Sequence, residues 1–117
     1  MTVGKAGYTL KTIIDHYLQA KGVRKTDLFP GDHVFVKTLN SLYDIQVLTN
    51  GTYSVSGGWF DKKGLSPMTT NIVGCTWGGS TIKVDFVAAC GLCLEFDNQV
   101  MTSTIQNVFL LPSGWQN

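Results

Sequence analysis

The residue types able to do chemistry gather in one stretch, Ile72–Phe96, I-V-G-C-T-W-G-G-S-T-I-K-V-D-F-V-A-A-C-G-L-C-L-E-F, which holds all three cysteines. Cys90-Gly91-Leu92-Cys93 has the C-x-x-C spacing that redox and zinc sites share. The thioredoxin-like form needs a helix after the motif, because a helix N-terminus lowers the thiol pKa. Here Leu92, Leu94 and Phe96 alternate with Cys93 and Glu95, the pattern of a strand. A structural zinc takes four ligands, so Cys75, Cys90 and Cys93 would need His16 or His33 as a fourth, and no second C-x-x-C is present. Free cysteine is among the most buried residue types. The three thiols therefore read as core residues, with a Cys75, Cys90 and Cys93 metal set as the weaker alternative.

His16 and His33 are the two candidates for a base near neutral pH. His16 falls on the polar side of a helical pattern. His33 neighbours Asp32, but sequence neighbours on a strand point to opposite faces, which makes a poor acid–base pair. The chain has no G-x-S-x-G elbow, no H-E-x-x-H and no Walker loop. No catalytic residue is assigned and no cofactor is implied. Two glycine pairs flank tryptophans in mirror order, Gly57-Gly58-Trp59 and Trp77-Gly78-Gly79. Glycine beside an aromatic plate lets a flat ligand approach the backbone, so Trp59, Trp77, Gly78 and Gly79 are the candidate ligand-binding residues. The competing and favoured reading makes both pairs bulges or corners with the rings packed inward. No helix follows to make either pair a phosphate loop.

The elements that would position these residues come in a clear order. Residues 1–8 have no periodicity and read as a flexible leader. Leu10, Ile13, Ile14, Tyr17 and Leu18 form one apolar stripe of a helix over residues 9–21, capped by Thr9 and ended by Gly22. Pro30-Gly31-Asp32 is a turn in which proline presets one dihedral and glycine supplies the positive one. Strands are expected at His33–Leu39 and Leu42–Thr49, the latter with Tyr43, Ile45 and Val47 opposite Asp44 and Gln46. Asn50-Gly51 is a strong hairpin signal, since both central residues of a type I′ turn need positive φ. Thr52–Phe60 returns as the partner strand. Asp61–Thr70 is non-periodic and reads as the mobile loop. Strands follow at Asn71–Thr76, at Thr81–Val87 with Ile82, Val84 and Phe86 on one face, and at Leu92–Phe96. Val100–Ile105 and the apolar run Val108–Leu111 complete the set.

This pattern predicts a single mainly β (α+β) domain over residues 1–117, with the β unit spanning 33–111. Its expected form is a small antiparallel β-barrel of six to eight short strands, with the N-terminal helix packed across an end or edge. An open sheet with the helix on one face is the alternative. A length of 117 residues, 44% apolar and 15% charged, fits one globular core and opposes disorder. The net charge of +1 gives no field that implies a nucleic-acid partner. Charge is uneven, with Lys5, Lys11, Lys21, Arg24 and Lys25 against Asp15 and Asp27 in the first thirty residues, and a mildly acidic remainder. No secretory signal and no membrane-length apolar run is seen, and the cysteine number is odd. A cytoplasmic location with no membrane partner is expected.

The segments T-L-N-S-L-Y-D-I-Q-V at 38–47, G-G-W-F at 57–60, W-G-G-S-T-I-K-V at 77–84, L-E-F at 94–96 and T-S-T-I at 102–105 together resemble a set of small bacterial proteins with no assigned activity. The resemblance implies a stand-alone β-rich domain and carries no catalytic residue across. The function expected is a non-enzymatic binding or scaffold module. It would self-associate into a homo-oligomer through apolar surface, with Val108, Phe109, Leu110, Leu111 and Trp115 as the run that zips against a second copy. The alternative is a ligand-binding barrel or weak enzyme, its pocket between Trp59, Trp77 and the 61–70 loop.

Overall fold

The computed structural model describes residues 18–77 and 82–113. The elements are β1 (Leu18–Ala20), β2 (Gly22–Arg24), a 3-10 turn (Lys25–Asp27), β3 (His33–Thr38), β4 (Leu42–Val47), β5 (Tyr53–Gly57), α1 (Gly58–Lys62), β6 (Met68–Thr70), β7 (Ile72–Thr76), β8 (Ile82–Lys83), β9 (Phe86–Ala89), β10 (Cys93–Phe96) and β11 (Ile105–Leu111). The domain is mainly β and its ladders are antiparallel. They form a six-stranded sheet in the order β1-β11-β3-β4-β5-β6, a three-stranded sheet β10-β7-β8, and the pair β2-β9. No closed barrel links these ladders among the described strands.

The meander β3-β4-β5 follows from alternation. Val34, Val36, Tyr43, Ile45, Val47, Tyr53 and Val55 all face one side and are buried. Asn50 and Gly51 take φ of 61° and 74°, and the Thr52 amide donates to the Thr49 carbonyl, as the hairpin signal requires. The Pro30-Gly31 turn forms as well, with Gly31 at φ 96° and the Asp32 amide donating to the Phe29 carbonyl at 3.0 Å.

The edges of the large sheet fold over into the second layer. One residue, Lys21, separates β1 from β2, and one, Asn71, separates β6 from β7. The carbonyls at both corners accept amides of the second layer, Cys90 N–H to Lys21 at 2.8 Å and Asp97 N–H to Asn71 at 3.0 Å. Corner backbone groups are thereby paired where neither sheet's ladder reaches them. Lys25 adds a side-chain tie, its Nζ donating to the Ile72 carbonyl at 2.8 Å. Between the layers lies one core, to which the second layer contributes Ile72, Cys75, Val87, Ala88, Leu92, Leu94 and Phe96. On the opposite face of the large sheet, Phe35, Phe109 and Leu111 form a smaller buried cluster with Leu42 against it.

Several expectations are corrected here. The helix expected over 9–21 does not reach its end, because Leu18, Gln19 and Ala20 pair with Leu110, Phe109 and Val108 as a strand. Its part before Leu18 lies outside the described residues, as do the leader, His16 and Trp115. Thr52–Phe60 is not one strand. Gly57 turns the chain at φ 101° into α1, which drives Phe60 into the core against Phe96 (ring centroids 5.0 Å, edge-on) and Tyr43 (6.4 Å). Half of the stretch read as a 61–70 loop lies in regular elements, with α1 ending at Lys62 and β6 running from Met68 to Thr70. Thr81–Val87 breaks at Val84-Asp85, where the Lys25 amide binds the Asp85 carbonyl at 2.8 Å. Val100–Ile105 is not one strand: Met101 makes an isolated bridge with Glu95, and Ile105 already belongs to β11, opposite Thr38. There the buried Thr102 hydroxyl accepts the Leu94 amide at 3.0 Å, so a side chain replaces a ladder bond. Finally, Val108–Leu111 belongs to β11, an interior strand paired on both sides with β1 and β3. It is not a free edge for a second copy.

Candidate functional site

A shallow groove of about 310 Å³ opens where the ends of β7, β8, β9 and β10 meet. Its walls and floor are Trp77, Lys83, Phe86, Ala89, Cys90, Gly91 and Leu92. Trp77, one residue past the end of β7, is 64% exposed, whereas Cys75 and Thr76 before it are fully buried, so the wall begins where the strand leaves the core. Lys83 is in register with Cys75 across the β7–β8 ladder and lays its Nζ 5.4 Å from the centre of the Trp77 ring. Phe86 opens β9 opposite Arg24, whose guanidinium carbon lies 5.4 Å from the Phe86 ring centre. Two aromatic plates thus carry a cation each, an attraction between positive charge and the ring quadrupole.

The far wall is the C-x-x-C turn. The Leu92 amide donates to the Ala89 carbonyl at 3.2 Å, and Gly91 takes φ 88°, the left-handed conformation that suits glycine. Leu92 is buried beneath. Cys90 is exposed at the turn corner, Cys93 is half-buried and Cys75 is buried, so only one of the three is the fully buried core thiol expected. The Cys90 thiol points back toward the Gln106 carbonyl at 3.6 Å. Burial pushes the Cys75 thiol up from 9.0 to about 11, a rise opposed by a hydrogen bond to the Ala89 backbone. Among the described residues, no group of three or more His, Cys, Asp and Glu side chains is placed to hold a metal ion.

The other candidate residues lie elsewhere. Trp59 is half-buried on α1, edge-on to Phe60 at 5.2 Å, with its amide donating to the Tyr43 hydroxyl at 3.4 Å. It packs against the core and does not line the Trp77 groove, nor does any residue of 61–70. Gly78 and Gly79 lie outside the described residues. His33 pairs with Asp44 on the neighbouring strand, Nδ1 to Oδ1 at 2.8 Å, and stacks on Phe35 at 5.8 Å. Asp32 is buried and accepts the amides of Phe29 and Ser113 at 2.9 and 2.7 Å, a structural role.

Sequence reasoning missed Lys83 and Phe86 as groove residues, and Arg24 as the cation over Phe86. The signal existed in part: Phe86 shares a parity with Ile82 and Val84, but the turn at Val84-Asp85 separates them, leaving Val84 exposed and Phe86 half-buried against the core with Arg24 over its ring. No family model, curated protein or solved structure matches the chain. No helix among the described residues is long and apolar enough to cross a membrane.

Proposed function

We propose that the domain is a non-enzymatic binding module whose ligand seats in the groove beside Trp77. The observation that carries this reading is the placement of a tryptophan 64% exposed on the wall of a preformed groove of about 310 Å³. Ligand sites are concave, mostly apolar and largely preformed, with volumes from roughly 300 Å³ upward. A large aromatic left in water at such a place has surface to bury on binding.

Intrinsic tryptophan fluorescence tests the reading. A screen of sugars, nucleotides and aromatic acids is expected to give at least one saturable shift, and Trp77→Ala should abolish it while Trp59→Phe leaves it intact. A saturable shift that survives Trp77→Ala places binding elsewhere and rejects the groove.

Self-association is the second reading, now on a different surface. Val84, 57% exposed just after β8, and Trp77 leave apolar area uncovered in this region, whereas Val108–Leu111 is interior. Light scattering over a wide concentration range should then show a rising mass that Trp77→Ala removes.

A further inference from the structure

We infer that the groove's ligand is a small anionic aromatic molecule, a flat apolar ring bearing a carboxylate or phosphate group. The inference rests on the groove being the binding surface and adds the chemistry of what fills it. Of the lining side chains only Trp77, through its indole N–H, Lys83 and Cys90 carry a polar group, and none of the three is a strong acceptor. A sugar, whose hydroxyls each need a hydrogen-bond partner once dehydrated, is poorly served by such a wall. A flat ring is well served by Trp77 and Phe86.

Charge sets the rest. Lys83 lies over the Trp77 ring and Arg24 over the Phe86 ring, so each plate has a cation beside it. Neither cation is in an ion pair with a carboxylate among the described residues, where His33–Asp44 is the pair formed. Asp85, in the turn between Lys83 and Phe86, is exposed and pairs with neither. A ring lying on Trp77 or Phe86 puts a substituent at its edge within reach of a charge that is already held in place. Anion recognition there needs little side-chain reordering, and because Lys83 and Arg24 are both exposed it is screened by salt.

The test tracks the Trp77 indole N–H in two-dimensional NMR during titration with 1-naphthoate, 1-naphthyl phosphate and the neutral 1-naphthalenemethanol. Saturable shifts are expected with at least one of the two anions, and their relative affinities identify the anionic group. The neutral alcohol should bind roughly tenfold or more weakly, the equivalent of one good charged contact. Lys83→Gln or Arg24→Gln should weaken the preferred anion by about three- to tenfold with little effect on the alcohol, and Lys83→Arg should restore binding. Raising salt should weaken the anion selectively.

Equal affinity for the alcohol and the anions, with shifts lost in Trp77→Ala, overturns the anionic inference and leaves the groove reading standing. Absence of any Trp77 shift with all three probes overturns the inference. Shifts that persist in Trp77→Ala at other backbone amides overturn both it and the groove reading. A mass that doubles with concentration and depends on Trp77 assigns the groove to a second copy, which also overturns it.

Discussion

Gly57 and Gly58 stand where β5 gives way to α1, and each is held by a neighbour that leaves no room for a side chain. A Cβ on Gly57 would overlap the Leu42 carbonyl, and one on Gly58 would overlap the Tyr43 ring. Gly57 has φ 101° and ψ 176°, a region open essentially to glycine alone. Gly57→Ala is therefore expected to destabilise the domain by roughly 3 kcal/mol or more, from backbone strain and overpacking together. Gly51→Ala is the contrast, since φ is 74° but nothing lies within 4 Å of the added Cβ; about 1 kcal/mol is expected from the left-handed conformation alone. Urea denaturation of the two variants, compared at equal m-value, checks the ordering. Comparable losses at the two positions would show that the Leu42 contact is not tight. The sequence signals a break at this glycine pair but gives no sign of the short helix after it, because the exclusion comes from Leu42 and Tyr43 on another strand.

Among the elements, the buried Asp32 holds the start of β3 to the end of β11. Its carboxylate accepts the Phe29 and Ser113 amides, residues far apart in the chain, and its own carbonyl accepts the Val47 amide at 2.8 Å. Asp32→Ala leaves two backbone donors without their partner and should cost about 1–3 kcal/mol. Hydrogen exchange should quicken first at Ser113 and Phe29, and the centre of β4 should be spared. Uniform quickening across the large sheet would mean that Asp32 supports the whole fold instead of two ends. The turn around Asp32 and the meander after it were legible because Pro30-Gly31, alternation and Asn50-Gly51 are local signals that agree with one another. The segment from Leu18 was not. Leu18 fits a helical stripe with Ile14, and its strand state comes only from pairing with Leu110, a partner about ninety residues away. The groove shares that difficulty. Trp77 could be singled out as an aromatic beside glycine, but Arg24 reaches Phe86 only through the β2–β9 ladder, which no local pattern announces.

At the scale of the whole molecule, the two layers share a core in which Cys75 is fully buried, and this ties global stability to alkaline pH. The folded thiol, pushed up chiefly by burial, titrates near 11 against an ordinary 9.0. Below pH 9 the thiol is protonated in both states and contributes nothing that varies with pH. Between 9 and 11 the unfolded chain loses the proton while the folded one keeps it, so the unfolded state binds fewer protons and stability falls as pH rises. The loss approaches roughly 2–3 kcal/mol as pH passes the folded value. Tyr53, also raised by burial from an ordinary 10.0, acts in the same direction, its loss beginning above pH 10. Urea midpoints measured from pH 7.5 to 11 should be flat to about pH 9 in this contribution and then decline. Cys75→Ala should be less stable at neutral pH, through the small cavity it leaves, yet show a shallower decline above pH 9. The difference between the two proteins isolates the thiol from every other titrating group. Parallel curves for wild type and Cys75→Ala would mean that the thiolate is tolerated in the folded state, and that the two layers part enough at Cys75 to admit water.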